Sequence, residues 1–327
     1  MHIAIVGAAG MLGSKLTKKL LEISKLQGRD ISRLSLYDAV AAPRPSHSSI
    51  ETSTLCLDFA SLNGAQLIVS EKPDVIFHLA AIVSGEAEIE FDKGYRINLD
   101  GTRYLLEAIR HLNEQQGYFP RLVFASSIAV FGAPLPDPIP DSFHHTPLTS
   151  YGTQKAISEL LLSDYSRHGF VDGIGLRLPT LCIRPGIPNK AASGFFSSIL
   201  REPLQGLPAI LPVSPSVKHW HTSPRSAVNF LLHAAGLDTR LLGWRRNLTL
   251  PGVSATVEEQ IDALRRIAGE DAVKLIQHKV DPAIEKMVTG WAPGFEATRA
   301  LELGFKSEQS FDEIIHAYVE DDLQVQS

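Results

Sequence analysis

Three evenly spaced glycines follow a short apolar run near the N-terminus and constrain the fold more than any other feature. The run Ile3–Val6 has the composition of a buried strand, and Gly7, Gly10 and Gly13 come directly after it. Leucines then recur at helical spacing, which predicts a strand, a tight glycine turn and a helix. Such a turn lets the backbone approach a pyrophosphate at the positive end of a helix. The alternative is a strand-to-helix turn without a ligand, which also demands glycine.

Short apolar strands and helical segments alternate through about the first 180 residues. Further strands are predicted at Leu34–Tyr37, Thr54–Leu57, Pro73–Ala81, Arg121–Ala125 and Ile174–Leu178. Helices are predicted between them, among others over 91–111 and 151–168. This alternation predicts an α/β fold with a doubly wound parallel sheet. Ligands of such sheets bind outside the carboxyl ends of the strands.

The residues at the predicted strand ends suit a dinucleotide. Asp38 follows the second strand, where a carboxylate accepts hydrogen bonds from the adenosine ribose and repels a 2′-phosphate. This favours NAD, although Arg44 keeps NADP as an alternative. Asp58 follows the third strand and is either an adenine contact or a helix cap. The fourth strand ends in Leu79–Ala81, whose two alanines leave room for a cofactor.

Two polar side chains lie close to these strand ends. His78 stands within the fourth strand, and we interpret it as a packed, hydrogen-bonded core residue, with a catalytic base as the alternative. Asn98 lies on the helix predicted from residue 91 to residue 111. It either braces the region of Lys155 through water or lies on the surface.

The segment Tyr151-Gly-Thr-Gln-Lys155 carries the predicted chemistry. A tyrosine and a lysine four residues apart on a helix share one face. An ammonium beside a phenol favours the phenolate, so Tyr151 could act as a base far below its free pKa of about 10. Ser126 and Ser127 end the fifth strand and supply hydroxyls that could hold an alcohol. The alternative for the pair alone is an ordinary exposed helix pair.

Composition narrows the class of protein. The 327 residues carry a formal net charge of -5, which argues against nucleic acid as the main partner, since phosphate binding needs a basic face. No apolar stretch approaches the ~18 residues of a membrane span. The N-terminus lacks the basic region of a signal peptide and runs directly into the glycine turn. We therefore expect a soluble, cytoplasmic protein without a membrane partner.

Cysteine and histidine usage indicates no metal site. Cys56 and Cys182 both stand in apolar runs, so we interpret them as buried thiols in a reducing compartment. The adjacent His144 and His145 lie in a proline-rich loop, and no second cluster stands at ligand spacing. This loop, between the fifth strand and Tyr151, is expected to form one wall of the site.

Together these motifs resemble the extended short-chain dehydrogenase/reductase family. The resemblance covers the whole N-terminal half and implies a Rossmann-type fold and NAD as cofactor. It implies that Tyr151 is the acid/base, that Lys155 holds the nicotinamide ribose, and that Ser127 orients the substrate oxygen. It also implies a homodimer built from the helices that carry Asn98 and Tyr151. The cofactor residues implied are Gly7, Gly10, Met11, Leu12, Gly13, Asp38, Asp58, Leu79, Ala80, Ala81, Asn98, Ser126, Ser127, Tyr151, Lys155 and Pro179.

The composition changes after Leu178. Six prolines fall between residues 184 and 218 without a long periodic run, which predicts loops and short elements. We predict an NAD-binding domain over 1–178 and a smaller α/β substrate lobe over 179–327, with about 217–235 returning to the first domain. Helices are predicted over 257–267, over 295–303 with Gly304 as C-cap, and over 311–319.

The block Leu178–Gly206 is the most distinctive stretch of this half. It resembles one branch of the family, the NAD-dependent D-erythronate dehydrogenases. The resemblance implies oxidation of the 2-hydroxyl of a four-carbon sugar acid. Its anionic substrate needs cationic or amide donors. The candidate substrate residues are Ser84, Arg184, Asn189, Lys190 and Arg201, each with a solvated or structural role as the alternative.

Two other functions fit the same motifs. One is a nucleotide-sugar epimerase or dehydratase that returns the hydride and releases no NADH. Against it, the C-terminal lobe has no clear motif for a nucleotide diphosphate, and Ile128 stands where a dehydratase needs an acid. The other is a non-catalytic dinucleotide-binding regulator, which the presence of Ser127, Tyr151 and Lys155 together disfavours.

Overall fold

The computed structural model describes residues 1–43, 49–186 and 193–323. Its strands are β1 (His2–Val6), β2 (Lys25–Leu26), β3 (Arg29–Asp30), β4 (Arg33–Asp38), β5 (Glu51–Cys56), β6 (Val75–His78), β7 (Arg121–Ser127), β8 (Asp172–Leu178), β9 (Thr180–Leu181), β10 (Ala209–Leu211), β11 (Lys218–Thr222), β12 (Asn247–Thr249), β13 (Val253–Thr256) and β14 (Ile276–His278).

The α-helices are α1 (Met11–Ile23), α2 (Leu62–Ser70), α3 (Ser84–Ile89), α4 (Phe91–Gly94), α5 (Gly101–Gln116), α6 (Ser150–Arg167), α7 (Gly194–Leu204), α8 (Pro224–Gly236), α9 (Val257–Ala268), α10 (Glu270–Val273), α11 (Pro282–Val288), α12 (Thr298–Glu302) and α13 (Phe311–Tyr318). A π-helical turn over Tyr95–Asp100 joins α4 to α5. No helix in the described ranges is both long and apolar enough to cross a membrane.

A seven-stranded sheet with the order β12-β8-β7-β6-β1-β4-β5 forms the centre of the nucleotide-binding fold. The pairs from β5 through β4, β1 and β6 to β7 are parallel. The chain first adds β4 and β5 on one side of β1 and then crosses to add β6, β7 and β8 on the other. The crevice between the carboxyl ends of β1 and β6 is therefore the switch point of the sheet. The predicted doubly wound, Rossmann-type α/β fold is confirmed.

By its internal contacts the chain divides into two compact units. The first unit comprises 1–127, 149–177 and 228–248, and the second comprises 128–148, 178–227 and the residues from 249 onward. The chain passes from the first unit to the second between Arg177 and Leu178, one residue before the predicted boundary. Residues 128–148 group with the second unit although they precede residue 178. Residues 228–248 group with the first unit although they follow it.

Burial explains the elements of the first unit. The strand β1 is buried from Ile3 to Val6, as a central strand with both faces covered should be. The helix α1 buries Gly13, Leu16, Thr17 and Leu20, which recur at helical spacing on one face. Serine and threonine hydroxyls cap helices at the start of α2 and α6.

The second unit has a small core of its own. In a three-stranded sheet, β11 pairs antiparallel with β13 and parallel with β9. A second small sheet pairs β10 with β14. Helix α9 begins with a capping box, in which Thr256 and Glu259 satisfy each other's backbone N–H groups. The buried apolar side chains of this unit include Phe196, Leu264 and Ile314.

Several local predictions were wrong. Cys56 is exposed, because β5 is the edge strand at one end of the sheet among the described residues and is itself largely exposed. The segment predicted as loops and short elements contains the eleven-residue helix α7. Near the C-terminus the helix predicted from residue 295 begins at Thr298, after Ala297 in the left-handed region. The thiol of Cys182 is buried as predicted.

Candidate functional site

The turn after β1 requires glycine at two of its three positions. Gly7 has φ +95°, and a Cβ there would lie 2.6 Å from the backbone nitrogen of Ala80. At Gly13 a Cβ would lie 2.2 Å from the carbonyl oxygen of Gly7. These contacts come from the approach of the loop after β6 and from the packing of α1 on the turn. The packing of the protein itself therefore requires glycine at positions 7 and 13, whether or not a ligand binds.

Gly10 is different, because the protein leaves space beside it. A Cβ at Gly10 would meet only the carbonyl oxygen of Gly7, at an ordinary 3.5 Å. Gly10 is also the N-cap of α1, which has no side-chain cap and no acidic residue in its first turn. The N–H groups of Met11, Leu12 and Gly13 thus begin a helix with an uncompensated positive end. This arrangement fits a pyrophosphate that approaches over Gly10.

Asp38 lies beside this turn, at the end of β4. Its carboxylate accepts hydrogen bonds from the backbone N–H groups of Ala9, at 2.9 Å, and of Val40, at 3.3 Å. A partly buried carboxylate held at the carboxyl end of β4 fits a ribose with two free hydroxyls. Arg44, on which the NADP alternative rests, lies outside the described residues.

Asp58 follows β5 and pairs with an arginine that the sequence had not indicated. The Arg96 guanidinium lies 2.6 Å from the Asp58 carboxylate, and both side chains are about half exposed. The other carboxylate oxygen accepts from the backbone N–H of Ala60 at 3.1 Å. Asp58 therefore holds the loop before α2. The N-cap of α2 is Ser61, so the capping alternative is wrong, and the adenine contact stays a prediction.

His78 is a buried core residue, as interpreted from the sequence. Its Nε2 lies 2.9 Å from the Thr102 hydroxyl, which donates to the carbonyl oxygen of Asn98. Burial, together with the charge of Lys155, lowers the pKa of His78 to about 3. A histidine held neutral in this way packs between Phe59 and Phe124 and is unsuited to serve as a base at neutral pH.

Asn98 joins two parts of the site and is buried, so the surface alternative is wrong. Its amide oxygen accepts from the backbone N–H of Ile82 at 2.9 Å, just beyond Ala80 and Ala81. Its amide nitrogen donates to the Gln154 side chain on α6 at 2.8 Å. Asn98 lies in the π-helical turn between α4 and α5. It therefore links the loop after β6 directly to the helix that carries Tyr151 and Lys155.

Lys155 is almost completely buried beneath Tyr151. Its Nζ donates to the carbonyl oxygen of Ala125 at 2.8 Å and lies 4.6 Å from the ring centroid of Phe124. The centroid of the partly buried Tyr151 ring is 5.8 Å from the same nitrogen. Burial lowers the pKa of Lys155 to about 7, and the negative charge of Glu159 opposes that effect. The ammonium thus lies within electrostatic range of the phenol.

The two serines at the end of β7 have different surroundings. The buried Ser126 hydroxyl donates to the Glu159 carboxylate at 2.6 Å. Adjacent side chains of a strand point to opposite faces, and Ser127 is only partly buried. Ser126 is therefore used inside the protein, and Ser127 is the better placed of the two to meet a substrate.

The remaining predicted residues lie near the start of α3 and in the second unit. Ser84 is the first residue of α3, and Pro179 is buried directly after β8. Arg184 donates to the Ser193 hydroxyl at 3.0 Å. Arg201 is buried and is held by the carbonyl oxygen of Arg184 and by Glu202. Asn189 and Lys190 lie outside the described residues.

Sequence reasoning missed Glu159 and Arg177, which form a buried ion pair with an Nη2–Oε2 distance of 2.8 Å. The signal was present for Glu159, since it lies one helical turn after Lys155 on the same face. No neighbouring residue in the sequence indicates that Arg177 belongs to the site. Among the described residues no group of three histidine, cysteine or acidic side chains could hold a metal ion.

The glycine turn can bind a dinucleotide, and the tyrosine–lysine pair lies on a helix packed against the same sheet. These two features suit an oxidoreductase that uses a nicotinamide cofactor. Residues 3–224 match the NAD dependent epimerase/dehydratase family. The chain belongs to this family and is an NAD-dependent oxidoreductase.

Three similar proteins cover nearly the whole chain. The D-erythronate dehydrogenase of Cupriavidus necator is 46% identical over 326 residues, which are 98% of each chain. That of Haemophilus influenzae is 42% identical over 324 residues, 99% of this chain and 100% of its own. A crystal structure described as the nucleoside-diphosphate-sugar epimerase from Agrobacterium tumefaciens is 62% identical, with a TM-score of 0.97, over 99% of this chain and 95% of that chain.

Proposed function

We propose that this protein is a sugar-acid dehydrogenase that oxidises the 2-hydroxyl of D-erythronate to the 2-oxo acid, with reduction of NAD. The observation that carries the proposal is the buried Lys155 ammonium beneath Tyr151, next to the end of β7. The substrate class comes from the two relatives named D-erythronate dehydrogenase, which align over almost the full length of this chain.

In the proposed reaction Tyr151 is the general base. The Lys155 ammonium stabilises the phenolate form of Tyr151, which accepts the proton of the substrate hydroxyl. Ser127 donates a hydrogen bond to the same oxygen and holds it against the phenol. Bound NAD supplies the acceptor for the hydride that leaves C2 as the C–O single bond becomes a carbonyl. Proton and hydride thus leave to different acceptors, and the charges balance.

Gly10 and the N-terminus of α1 would hold the pyrophosphate, and Asp38 would hold the adenosine ribose. Asn98 positions the loop after β6, and through Gln154 it also positions the helix of the catalytic pair. In this proposal Lys155 contacts the nicotinamide ribose. Each of these roles rests on the geometry of the first unit.

Arg184 is the described residue that we propose for the substrate carboxylate. Arg184 is partly exposed and donates to the Ser193 hydroxyl, whereas Arg201 is buried and contacts Glu202. An Arg184→Gln variant should raise KM for the sugar acid much more than it lowers kcat. Equal KM values for variant and wild type would remove Arg184 from the site.

The test of the reaction is NADH formation with NAD and a panel of four-carbon sugar acids. D-Erythronate should give NADH, and a Tyr151→Phe variant should bind NAD normally and form almost none. Absence of NADH with every acid at high enzyme concentration would contradict the proposal. A Tyr151→Phe variant that matches wild type in every assay would instead indicate a non-catalytic regulator.

A nucleotide-sugar epimerase remains the second candidate, because the 62% identical crystal structure carries that description. An epimerase returns the hydride, so no net NADH appears. The related dehydratase function is disfavoured, because Ile128 follows the serine pair where a dehydratase needs an acid. Calorimetry with UDP- and dTDP-sugars separates the two functions. Tight binding of such a sugar, with interconversion of its epimers, would replace the dehydrogenase proposal.

We also infer a homodimer located in the cytoplasm. Helix α6 exposes the apolar Leu160, which is 62% accessible, and the proposed interface pairs α5 and α6 of two chains. Light scattering on the purified protein should give twice the 35.7 kDa of one chain. A Leu160→Glu variant should shift the mass toward that of the monomer.

A further inference from the structure

Glu159 lies on the same face of α6 as the proposed catalytic pair, one turn after Lys155 and two turns after Tyr151. Its side chain has no accessible surface, which is unusual for a carboxylate. A buried carboxylate is retained only where hydrogen bonds and opposite charge compensate its lost hydration.

Two partners on different strands meet this carboxylate. The Ser126 hydroxyl on β7 donates to Oε1 at 2.6 Å. From β8, Arg177 donates through Nε to both oxygens, at 3.1 and 3.0 Å, and through Nη2 to Oε2 at 2.8 Å. Glu159 therefore connects α6 to β7 and β8, and its partner Ser126 on β7 directly precedes Ser127.

A buried ion pair contributes little to stability compared with well-packed apolar side chains. The position of this pair suggests a different role. It lies one turn from an ammonium that has lost nearly all its water, and a buried lysine without a nearby anion tends to become neutral.

We propose that Glu159 is a positioning residue that fixes Ser126 against α6 and keeps the Lys155 ammonium charged, with Arg177 setting the strength of that effect. This inference rests on the proposed function, since a charged Lys155 matters because Tyr151 acts as a base. Neither Glu159 nor Arg177 contacts the substrate in this scheme.

The surroundings of Lys155 make Glu159 the principal anion near it. Burial lowers the pKa of Lys155 to about 7, and Glu159 is the group that raises it against that trend. The charged groups on the elements packed against α6 include Arg96 and Asp100 on the π-helical turn, Glu86 and Glu88 on α3, Asp92 and Lys93 on α4, Arg103, Glu107 and Arg110 on α5, and Arg121 on β7. His78 on β6 and Arg177 on β8 lie close to the same face of α6. Of these, His78 is neutral at pH 7, because burial lowers its pKa.

The direct test is the titration of Lys155, followed by NMR of its ε-methylene carbon in lysine-labelled protein and assigned with a Lys155→Met variant. A Glu159→Gln variant should lower the titration midpoint by about one pH unit or more. An Arg177→Gln variant removes the positive charge that competes for Glu159 and should raise the midpoint wherever the Glu159 carboxylate stays ionised. The matched control is Asp164→Asn, the same loss of charge on α6 at a half-exposed site, which should leave the midpoint unchanged.

The pH profile of NADH formation should move in the same directions. A Glu159→Asp variant retains the charge and should restore a midpoint near that of wild type, which a purely structural role would not predict. This comparison also decides the question if Arg177→Gln does not fold. Thermal unfolding of each variant separates lost stability from altered titration.

An unchanged Lys155 midpoint in Glu159→Gln would overturn the inference. Because the titration needs no substrate, its outcome is independent of the assay for sugar acids. If the midpoint moves as stated and no sugar acid yields NADH, the proposed function fails while the role of Glu159 stands.

Discussion

Alanine at Gly10 and alanine at Gly13 should separate cofactor binding from folding. The two glycines belong to one turn and differ in what surrounds them. A Cβ at Gly13 would lie 2.2 Å from the carbonyl oxygen of Gly7 and 2.7 Å from the Cα of Ala8. A Cβ at Gly10 would lie 3.5 Å from its nearest protein atom. The same added methyl group therefore meets backbone at one position and open space at the other.

The magnitudes follow from these distances. Ordinary contacts between heavy atoms are about 3.5–4 Å, so Gly13→Ala forces the turn backbone to move by roughly 1 Å or more. Overpacking of this kind costs about 3 kcal/mol, equivalent to a fall in Tm of roughly 6 °C or more. At Gly10 the backbone, with φ -68° and ψ 164°, is accessible to alanine. The stability of Gly10→Ala should therefore stay within about 1 kcal/mol of wild type.

The affinity for NAD should be sensitive to alanine at Gly10, although the stability of the protein is not. The methyl group of Gly10→Ala occupies the space over the N-terminus of α1 where we place the pyrophosphate. NAD affinity should fall at least about tenfold, or ~1.4 kcal/mol. Calorimetric NAD titration and thermal unfolding of both variants check this without any substrate. Wild-type NAD affinity in Gly10→Ala would refute the proposed position of the pyrophosphate. A wild-type Tm in Gly13→Ala would refute the packing argument.

Three further predictions concern the chemistry and the buried polar groups. Tyr151→Phe should lower kcat by about 10²–10⁴ while NAD affinity is kept, as measured by steady-state kinetics and calorimetry. Ser126→Ala removes a donor from the buried Glu159 carboxylate and should cost about 1–3 kcal/mol in chemical denaturation, whereas an unchanged midpoint would contradict the bond. Burial lowers the pKa of His78 to about 3 and that of His219 to about 4. Below the ordinary value of 6.5 only the unfolded chain takes up these protons, so stability is full above pH 6.5 and is lost as pH falls below it. These two histidines together should remove about 5 kcal/mol near pH 4.5, at ~1.4 kcal/mol per pH unit for each. His221, whose pKa burial also lowers, adds to this loss. A His219→Gln variant should reduce the loss by the share of one histidine, about 3 kcal/mol, in denaturation curves recorded across that range.

The sequence was sufficient for the doubly wound topology of the first unit because its signals are local. Glycine spacing, strand composition and the residue after each strand lie within a few positions of one another. The doubly wound topology then brings the strand ends to one edge, so Gly7 and Ala80 meet although 73 positions separate them. Asn98 shows the limit, since only packing decides between a buried bridge and a surface residue.

What could not be predicted depends on contacts between distant segments. In the sequence Arg177 is an ordinary residue of a predicted strand, and only the fold brings Glu159 into contact with it. Cys56 stands between two leucines and was expected to be buried, yet its strand is the last of the sheet and Leu55 is 48% exposed. The second unit is built from strands of two to five residues, too short to show an alternating pattern.

The first unit is assembled from three separate stretches of chain. Its sheet receives its last strand, β12, only at residues 247–249, next to β8. During synthesis, therefore, about three quarters of the polypeptide must leave the ribosome before this sheet can be completed. Until then β8 is an open edge that could pair with another chain. A fragment cut after residue 178 would keep that edge permanently, so recombinant versions of the nucleotide-binding unit should extend at least to residue 249.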